Sequence, residues 1–212
     1  MGEPDRAVFA RGFRAVCGVD EVGRGPLAGP VVAAAVLLDR DAAPLLPGLG
    51  DSKALSSRTR ADLVPRIHDV AIGVGVGLAT VEEIDRLNIL QASLLAMARA
   101  VASLSSPPDF LLVDGLHPIP LPIPQETLVK GDARSVCIAA ASNVAKEHRD
   151  RLMCEYAVLH PGYGFDEHKG YPTASHREAL RRLGPSPLHR LTFRGVRELL
   201  APPAQPDLFR AL

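Results

Sequence analysis

The stretch VCGVDEVGRGPLAGPVVAAAVLL, residues 16–38, constrains the fold more than any other part of the sequence. Two runs rich in Val and Ala, at 14–20 and 30–38, flank a segment that contains three glycines. This pattern predicts two neighbouring β-strands joined by a glycine loop. Asp20 and Glu21 stand where the first run ends, and two carboxylates beside an exposed loop repel an anionic ligand. We therefore expect a cation between these carboxylates and any anion that the loop binds.

The rest of the chain predicts an α/β fold in which strands come first and helices gather later. Further strands are expected at 69–79, 109–113 and 126–130. Helices are expected at 80–103, from Ala133 through Leu159, at 173–183 and at 191–200. Glycine alternates with Val or Leu in the strand at 69–79, so we expect a neighbouring element to pack closely against its glycine face.

Length and cysteine content exclude several classes of protein. A chain of 212 residues is long enough to bury one core. It contains no apolar stretch of about 18 residues and no N-terminal secretion signal, so we expect a cytoplasmic protein that does not enter a membrane. Cys17, Cys137 and Cys154 form no CxxC pair, which argues against a thiolate zinc site or a disulfide framework and favours small buried apolar roles.

Charge is unevenly distributed, although the net charge is zero. Residues 1–129 contain 11 Lys/Arg and 15 Asp/Glu, whereas residues 130–212 contain 13 and 9, together with five of the seven histidines. A basic C-terminal half can face a polyanion, but an asymmetry this mild also occurs without such a partner. The five histidines lack the HExxH spacing of zinc sites and are expected at the surface or in loops.

Asp114 and Asp132 extend the acidic pair of the first strand to four carboxylates at the ends of predicted elements. Asp114 ends a strand, and Asp132 stands at the start of the long helix, where it could also act as an N-cap. Oxygen ligands of this kind suit a hard divalent cation such as Mg²⁺. Because adjacent strand residues point to opposite faces, Asp20 and Glu21 can reach one ion only if the following glycines allow a twist or bulge.

Six motifs, in this order and spacing, resemble the ribonuclease HII family: GVDEVGRGPLAGPVV, DSKALS, LVDG, VKGDAR, AAASNVAKEHRD and HKGYPT. The resemblance implies a ribonuclease H-like fold, which is a five-stranded mixed sheet flanked by helices with a small C-terminal helical extension. It also implies an endonuclease that nicks 5′ of single ribonucleotides embedded in duplex DNA and cleaves the RNA strand of RNA/DNA hybrids.

By motif match, the resemblance makes Asp20, Glu21, Asp114 and Asp132 the ligands of two Mg²⁺ or Mn²⁺ ions. Two ions about 3.5–4 Å apart can activate a water and stabilise the departing 3′ oxygen, which leaves 5′-phosphate and 3′-hydroxyl ends. Asp150 is the alternative fourth ligand. It follows Asp132 by 18 residues, which is about 27 Å along a continuous helix, so both cannot serve one metal pair and Asp132 is preferred.

The resemblance also assigns the substrate contacts. Gly23, Arg24 and Gly25 read the 2′-hydroxyl of the ribonucleotide, which requires a close approach of backbone groups. A dinucleotide-binding turn is the competing interpretation, but a proline and a strand follow where a helix should begin. By the same resemblance, the Tyr171 ring packs on the deoxyribose after the ribonucleotide. The phosphate contacts are Lys53, Lys146 and Lys169.

The resemblance sets the expected domain organisation. A catalytic domain is expected at 14–160, preceded by an N-terminal extension at 1–13. A C-terminal helical region at 161–200 completes the substrate site, and residues 201–212 form a Pro-rich flexible tail. Within AAASNVAKEHRD, three residues replace apolar or neutral ones that the family usually has: Asn143, Glu147 and His148.

The tail contains QPDLF, which resembles the short peptide by which bacterial replication and repair proteins bind the sliding clamp. The candidate clamp contacts are Gln205, Leu208 and Phe209; a disordered end and a strand folded back on the body are the alternatives. We expect a monomer that acts on RNA/DNA hybrids and on duplex DNA containing ribonucleotides. Another nuclease of the ribonuclease H superfamily and a noncatalytic nucleic-acid-binding protein are the competing functions.

Overall fold

A five-stranded mixed sheet forms the centre of the molecule, with strand order β3-β2-β1-β4-β5. The computed structural model describes residues 2–42, 45–46, 48–49 and 55–200. The strands are β1 (Val16–Val22), β2 (Val31–Leu38), β3 (Gly73–Ala79), β4 (Phe110–Asp114) and β5 (Gln125–Leu128). β2 is antiparallel to both of its neighbours, whereas β1, β4 and β5 are parallel. The predicted α/β class with a five-stranded mixed sheet is confirmed.

Helices cover both faces of the sheet. They are α1 (Glu3–Ala10), α2 (Ser57–Val70), α3 (Val81–Leu87), α4 (Ile89–Ala102), α5 (Val136–Leu159), α6 (Phe165–His168), α7 (Ala174–Leu183) and α8 (Arg197–Leu200). The α5 face buries Val16, Val36 and Leu112, and the α4 face buries Val19, Leu37 and Leu111. Strand residues therefore alternate between two apolar layers, which is why the central strands are apolar throughout.

The glycine face of β3 lies directly against α4, as the alternating Gly pattern predicts. A Cβ atom on Gly77 would overlap the backbone of Ala96 and Ala100. The predicted helix at 80–103 is two helices, because Asn88 has a φ of 76° and breaks the turn between them. Its side chain then accepts from the N–H groups of the first turn of α4, so the same residue ends one helix and caps the next.

Two regions differ from the expected elements. The strand expected at 69–79 begins only at Gly73, because Asp69 and Val70 form the end of α2. The helix expected at 191–200 is confined to Arg197–Leu200. Asp85 accepts from the N–H groups of Leu191 and Thr192, which holds that segment in turns instead of a helical ladder.

The first helix is part of the main core. Val8 and Phe9 of α1 lie in the same buried cluster as β1 and α5. Asp5 is fully buried and accepts from the Ser135 hydroxyl at 2.7 Å and the Val136 N–H at 3.0 Å. The residues expected to form an N-terminal extension thus supply a carboxylate at the N-terminus of α5, where a negative charge is stabilising.

The cysteines are all free thiols. Cys17 and Cys137 are buried, as expected, whereas Cys154 is exposed, so the prediction of a buried role was wrong for Cys154. Among the helices of the described residues, none is both long enough and apolar enough to cross a bilayer.

Candidate active site

Asp20 and Asp114 lie side by side at the C-terminal ends of two parallel strands. Val19 of β1 is paired with Val113 of β4, so the next residue of each strand occupies a matching position. Neighbouring strands are about 4.8 Å apart, which brings the two carboxylates together. Both side chains belong to the face that α5 covers, and Asp20 hydrogen-bonds to the Ser142 side chain of that helix.

Glu21 lies on the opposite face of the strand from Asp20. The pairing of β1 with β2 is one-to-one through Asp20, Glu21 and Val22, so the twist or bulge expected at this pair is absent from the ladder. Glu21 Oε1 accepts from Arg24 Nη1 at 3.2 Å. The two carboxylates therefore flank the end of the sheet from two sides instead of pointing together.

Negative charge accumulates at this end of the sheet. Asp20 is only 5% exposed, and burial, followed by the charges of Glu21 and Asp114, raises its pKa well above the usual range. Burial also raises the pKa of Glu21, which the Arg24 guanidinium lowers in part and the charge of Asp114 raises further. A bound cation would favour the charged forms of these groups.

Asp132 lies in a 3-10 turn, Gly131–Ala133, and not at the start of the long helix. The expected N-cap role is wrong for Asp132, because the cap of α5 is Ser135, whose hydroxyl accepts from the Ile138 N–H. Asp132 is buried. The Gly131 N–H donates to Asp114 Oδ1 at 2.7 Å, which ties the turn that carries Asp132 to the strand end that carries Asp114.

The donor chemistry of this acidic end fits a hard divalent cation, since every candidate ligand is a carboxylate. Within the described part of the chain, however, no three acidic, histidine or cysteine side chains converge closely enough to form a ready-made metal site. Glu21 is engaged by Arg24, and Asp114 by a backbone N–H. The carboxylates are neighbours in position and raise one another's pKa values.

Comparison with known proteins identifies the family. The model of the family described as Ribonuclease HII matches residues 17–196. The chain belongs to the ribonuclease HII family. Ribonuclease HII of Geobacter sulfurreducens is 60% identical over 205 residues, which cover 93% of this chain and 94% of that protein. The resemblance carried by the six motifs is thereby confirmed, and the chain is an endoribonuclease of the ribonuclease H type.

Solved structures of related proteins have the same fold as this chain. Ribonuclease H2 from Pyrococcus horikoshii superposes with a TM-score of 0.72 at 28% identity, over 87% of this chain and 96% of that one. A PCNA:RNase HII complex from Archaeoglobus fulgidus gives 0.71 at 25% identity, over 85% and 95%. Bst-RNase HIII in complex with Mn²⁺ gives 0.67 at 21% identity, over 88% and 69%. The ribonuclease HII family is metal-dependent, in agreement with the donor chemistry above.

The glycine loop, residues 23–30, continues directly from the acidic end of β1 and faces Tyr171. The Tyr171 side chain is 40% exposed, and a Cβ atom on Gly25 would meet only its Cε1, at 3.8 Å. Gly23 differs, because its φ is 98° and a Cβ there would lie 2.8 Å from Arg149 Cδ. Packing within the protein thus requires glycine at 23 but leaves open space at 25.

The lysines expected to contact phosphate have different surroundings. Lys146 forms an ion pair with Asp150, which also binds the buried Arg60 at 3.3 Å. Two positively charged side chains therefore bind the carboxylate of Asp150, which was the alternative metal ligand. Lys169 contacts the Cys154 Sγ at 3.2 Å and precedes Tyr171 by two residues. Four other candidate residues lie outside the described residues: Lys53, Gln205, Leu208 and Phe209.

Three of the C-terminal histidines are buried, so the expectation of surface or loop roles is wrong for them. His168 is 9% exposed, and His176 and His189 are fully buried. The His168 and His176 rings stack with centroids 4.2 Å apart, and Phe165 packs against all three rings. Nothing in the sequence around these histidines separates a buried ring from an exposed one, because a charged residue directly follows each of them.

These histidines connect two segments through a chain of hydrogen bonds. His189 Nδ1 accepts from the Ser186 N–H at 2.9 Å, so its other nitrogen carries the proton and donates to His176 Nε2 at 3.1 Å. His176 Nδ1 then donates to the carbonyl oxygen of Tyr171 at 2.9 Å. Both rings are neutral in this arrangement, and they hold the backbone of Tyr171.

Two arginines that the sequence did not single out lie beneath the glycine loop. Arg149 of α5 and Arg190, which follows α7, are both fully buried. Arg149 belongs to the AAASNVAKEHRD motif, in which Asn143 is also buried and donates to the Ala139 carbonyl oxygen at 2.8 Å. Glu147 and His148 line a groove beside α2.

Proposed function

We propose that this chain nicks duplex DNA 5′ of single embedded ribonucleotides and cleaves the RNA strand of RNA/DNA hybrids, leaving 5′-phosphate and 3′-hydroxyl ends. Membership of the ribonuclease HII family supports the reaction class. The proposed substrate and cutting position rest on one observation: the acidic strand end is adjacent to a glycine loop that faces Tyr171. A phosphate above the carboxylates would place the neighbouring sugar at the loop.

Asp20, Glu21, Asp114 and Asp132 are the residues that would hold the catalytic metal in this proposal. Bound Mg²⁺ or Mn²⁺ supplies activation of water and stabilisation of the departing 3′ oxygen. Asp20 and Asp114 are held in place by Ser142 and the Gly131 N–H. Glu21 must leave Arg24, which frees that guanidinium for the phosphate backbone. The binding of Mn²⁺ by Bst-RNase HIII supports this choice of metal.

Selection of the ribonucleotide is assigned to Gly23, Arg24 and Gly25. Among the described residues, the N–H groups of Arg24 and Gly25 have no protein acceptor. The 2′-hydroxyl is both a donor and an acceptor, and it is the group by which a protein distinguishes RNA from DNA at one position. The open space at Gly25 supports approach of the sugar to the loop, and Tyr171 forms the opposite wall.

Phosphate binding is assigned to Lys146, Lys169 and Lys53. Lys169 is linked to the loop through Arg149, and Lys146 precedes Arg149 by three residues on α5. Both can donate to phosphate oxygens once their present contacts to Asp150 and Cys154 are exchanged. The N-terminus of α7, capped by Thr173, directs its first N–H groups to the same region and favours anions.

A nicking assay tests the proposal. A labelled duplex with one embedded ribonucleotide is incubated with the protein and Mg²⁺ or Mn²⁺, and the product ends are mapped. We expect a single nick 5′ of the ribonucleotide, carrying a 5′-phosphate on the downstream fragment, and none with Asp114→Asn. Cuts at other positions favour another nuclease of the ribonuclease H superfamily. Tight binding without metal-dependent cleavage favours a noncatalytic binder.

We further propose that the tail binds the sliding clamp through Gln205, Leu208 and Phe209. The relative from Archaeoglobus fulgidus was solved in a complex with PCNA, which supports a clamp partner, although these residues lie outside the described part of this chain. Surface plasmon resonance with the cognate clamp tests this proposal. The full chain should bind, the double variant Leu208→Ala/Phe209→Ala should not, and equal binding by both would reject the assignment.

A further inference from the structure

The glycine loop rests on two buried positive charges. Arg149 and Arg190 are each 0% exposed. Among the described residues, every side-chain hydrogen bond that these two arginines make goes to a backbone carbonyl oxygen. A buried guanidinium is costly unless its donors are satisfied. Burial, followed by the charge of Arg149, lowers the pKa of Arg190 to about 9.

Arg190 donates hydrogen bonds to carbonyl groups at both ends of the loop. Its Nη2 donates to the Gly23 oxygen at 2.6 Å and to the Gly29 oxygen at 2.8 Å. Its Nη1 donates to the carbonyl oxygen of Arg24 at 3.0 Å, and its Nε also reaches Gly29 at 3.0 Å. One planar fork thus fixes three peptide groups, which a lysine with a single ammonium group cannot do.

Arg149 joins the same loop to the segment that carries Tyr171. Its Nε donates to the Pro30 oxygen and its Nη2 to the Ala28 oxygen, both at 3.1 Å. Its Nη1 donates to the carbonyl oxygen of Lys169 at 3.0 Å. Arg149 therefore links the loop to the segment that carries Tyr171 and fixes the distance between them.

The direction of these carbonyl groups determines the direction of the neighbouring N–H groups. In a trans peptide, the C=O and the N–H point to opposite sides. The Gly23 carbonyl shares a peptide group with the Arg24 N–H, and the Arg24 carbonyl shares one with the Gly25 N–H. Since Arg190 binds both carbonyls from inside the molecule, both N–H groups point away from it, toward the outer face of the loop.

We propose that Arg190, assisted by Arg149, is a positioning residue for ribonucleotide selection: it turns the N–H groups of Arg24 and Gly25 outward as a fixed pair of donors for the sugar 2′ oxygen. This inference rests on the proposed function and identifies what orients the selecting loop. The buried positive charge also strengthens both donors toward an oxygen acceptor. Neither arginine touches the substrate.

Binding discrimination tests this role in the full-length protein. Fluorescence anisotropy, with Ca²⁺ replacing Mg²⁺ and cleavage checked to be absent, gives the Kd of one duplex with a single ribonucleotide and of the same duplex made only of DNA. The discrimination ratio is the Kd for the all-DNA duplex divided by the Kd for the duplex with the ribonucleotide. For Arg190→Lys, we expect this ratio to fall roughly tenfold, as the loss of one oriented hydrogen bond implies. The Kd for the all-DNA duplex should stay within about twofold, because Lys keeps the charge.

Arg60→Lys is the matched control, because Arg60 is also buried but donates to the Leu55 oxygen and Asp150, away from the loop. Partial unfolding removes active protein for both duplexes and leaves the Kd ratio unchanged, so the ratio separates positioning from stability. If Arg190→Lys does not fold, Arg149→Lys decides, with the same expected direction. An unchanged ratio in the folded variants, or an equal fall in Arg60→Lys, overturns the inference. A wild-type ratio near one overturns the proposed function instead.

Discussion

The acidic end of the sheet and the glycine loop are adjacent in sequence but stabilised in opposite ways. Asp20 is buried and Glu21 is partly buried, and burial raises the pKa of both carboxyl groups, so a bound cation would stabilise their charged forms. The loop that follows is held by Arg149 and Arg190, which donate six hydrogen bonds to its carbonyl oxygens and a seventh to the Lys169 carbonyl oxygen. We therefore expect the proposed cutting region, which is the acidic end with Asp20 and Asp114, to depend on a bound cation. The proposed selecting region, which is the glycine loop at 23–30 with Tyr171, is held in place by side chains of the protein itself.

Removal of a candidate metal ligand should lower the nicking rate more than any other change. It should leave the glycine loop unaffected. Asp114→Asn should lower the rate of metal-dependent nicking by about a thousandfold or more, which corresponds to about 4 kcal/mol of lost transition-state stabilisation. Single-turnover nicking measures the rate, and Asp62→Asn on the exposed surface of α2 should leave it unchanged. The preference for binding the ribonucleotide duplex should persist in Asp114→Asn. Loss of that preference would show that the two regions are not separable.

Two glycine substitutions distinguish the underside of the loop from its outer face. Gly23→Ala should destabilise the protein by about 3 kcal/mol, because the residue has a positive φ and its Cβ would lie 2.9 Å from the Pro30 oxygen. Gly25→Ala should change the free energy of unfolding by less than about 0.5 kcal/mol. It should nonetheless slow nicking at single ribonucleotides about tenfold or more, since the methyl group occupies the proposed sugar position.

Urea unfolding and single-turnover nicking on the same preparations test this pair. If Gly25→Ala nicks at the wild-type rate, the open space beside Tyr171 does not receive the sugar. If Gly23→Ala is as stable as the wild type, the loop is less rigidly supported than its hydrogen bonds indicate.

Acidification should weaken the support of the selecting region. Burial, followed by the charge of His176, lowers the pKa of His189 to about 4, whereas an unfolded histidine titrates near pH 6.5. The unfolded chain therefore binds a proton first, so this stability is complete above pH 6.5 and is lost as the pH falls toward 4. From pH 7 to pH 5, His189 alone should account for a loss of about 2 kcal/mol.

Urea unfolding at the two pH values measures that loss. In His189→Gln, the change in the free energy of unfolding between pH 7 and pH 5 should be smaller by about 2 kcal/mol, whereas His68→Gln, on the exposed side of α2, should behave as the wild type. The same pH dependence in His189→Gln and the wild type would assign the acid sensitivity to other groups.

The smallest effect is expected at the rim of the selecting region. Tyr171→Ala should reduce nicking at a single ribonucleotide about tenfold, which corresponds to about 1.4 kcal/mol. It should affect RNA/DNA hybrids less, because the ring is proposed to pack on the deoxyribose that follows the ribonucleotide, and the RNA strand of a hybrid has a ribose at that position. Tyr171→Phe keeps the ring and serves as the control. Parallel kinetics on the two substrates decide the point: equal losses on both would remove the junction role from Tyr171.

Much of the sheet could be predicted from sequence because its signals are local. The apolar runs at 14–20 and 30–38 correspond to β1 and β2 within two residues, since strands buried on both faces are apolar throughout. α2 escaped prediction because Leu63 and Ile67 are its main buried apolar positions and Pro65 interrupts the helical pattern. A weak apolar stripe carries little information about a helix that covers only one edge of a core.

The candidate site was predictable only in part, for a physical reason. Asp20 and Asp114 end apolar strands, and such polar residues stand out in sequence. The support of the loop depends on Arg149, Arg190 and His176, whose partners lie in distant segments. In sequence, a buried arginine bound to carbonyl oxygens looks the same as a solvated one. The twist expected at Asp20 and Glu21 was wrong because the regular ladder continues to the last pair of the strand.

The contact between Asp5 and Ser135 has a consequence for the order of assembly during synthesis. The two residues are 130 positions apart in the chain, so α1 cannot reach its partner until α5 has been made. All four candidate metal ligands precede α5, and that helix covers the face on which Asp20 lies. A nascent chain that ends before α5 therefore contains every carboxylate of the acidic end but lacks the helix that buries Asp20.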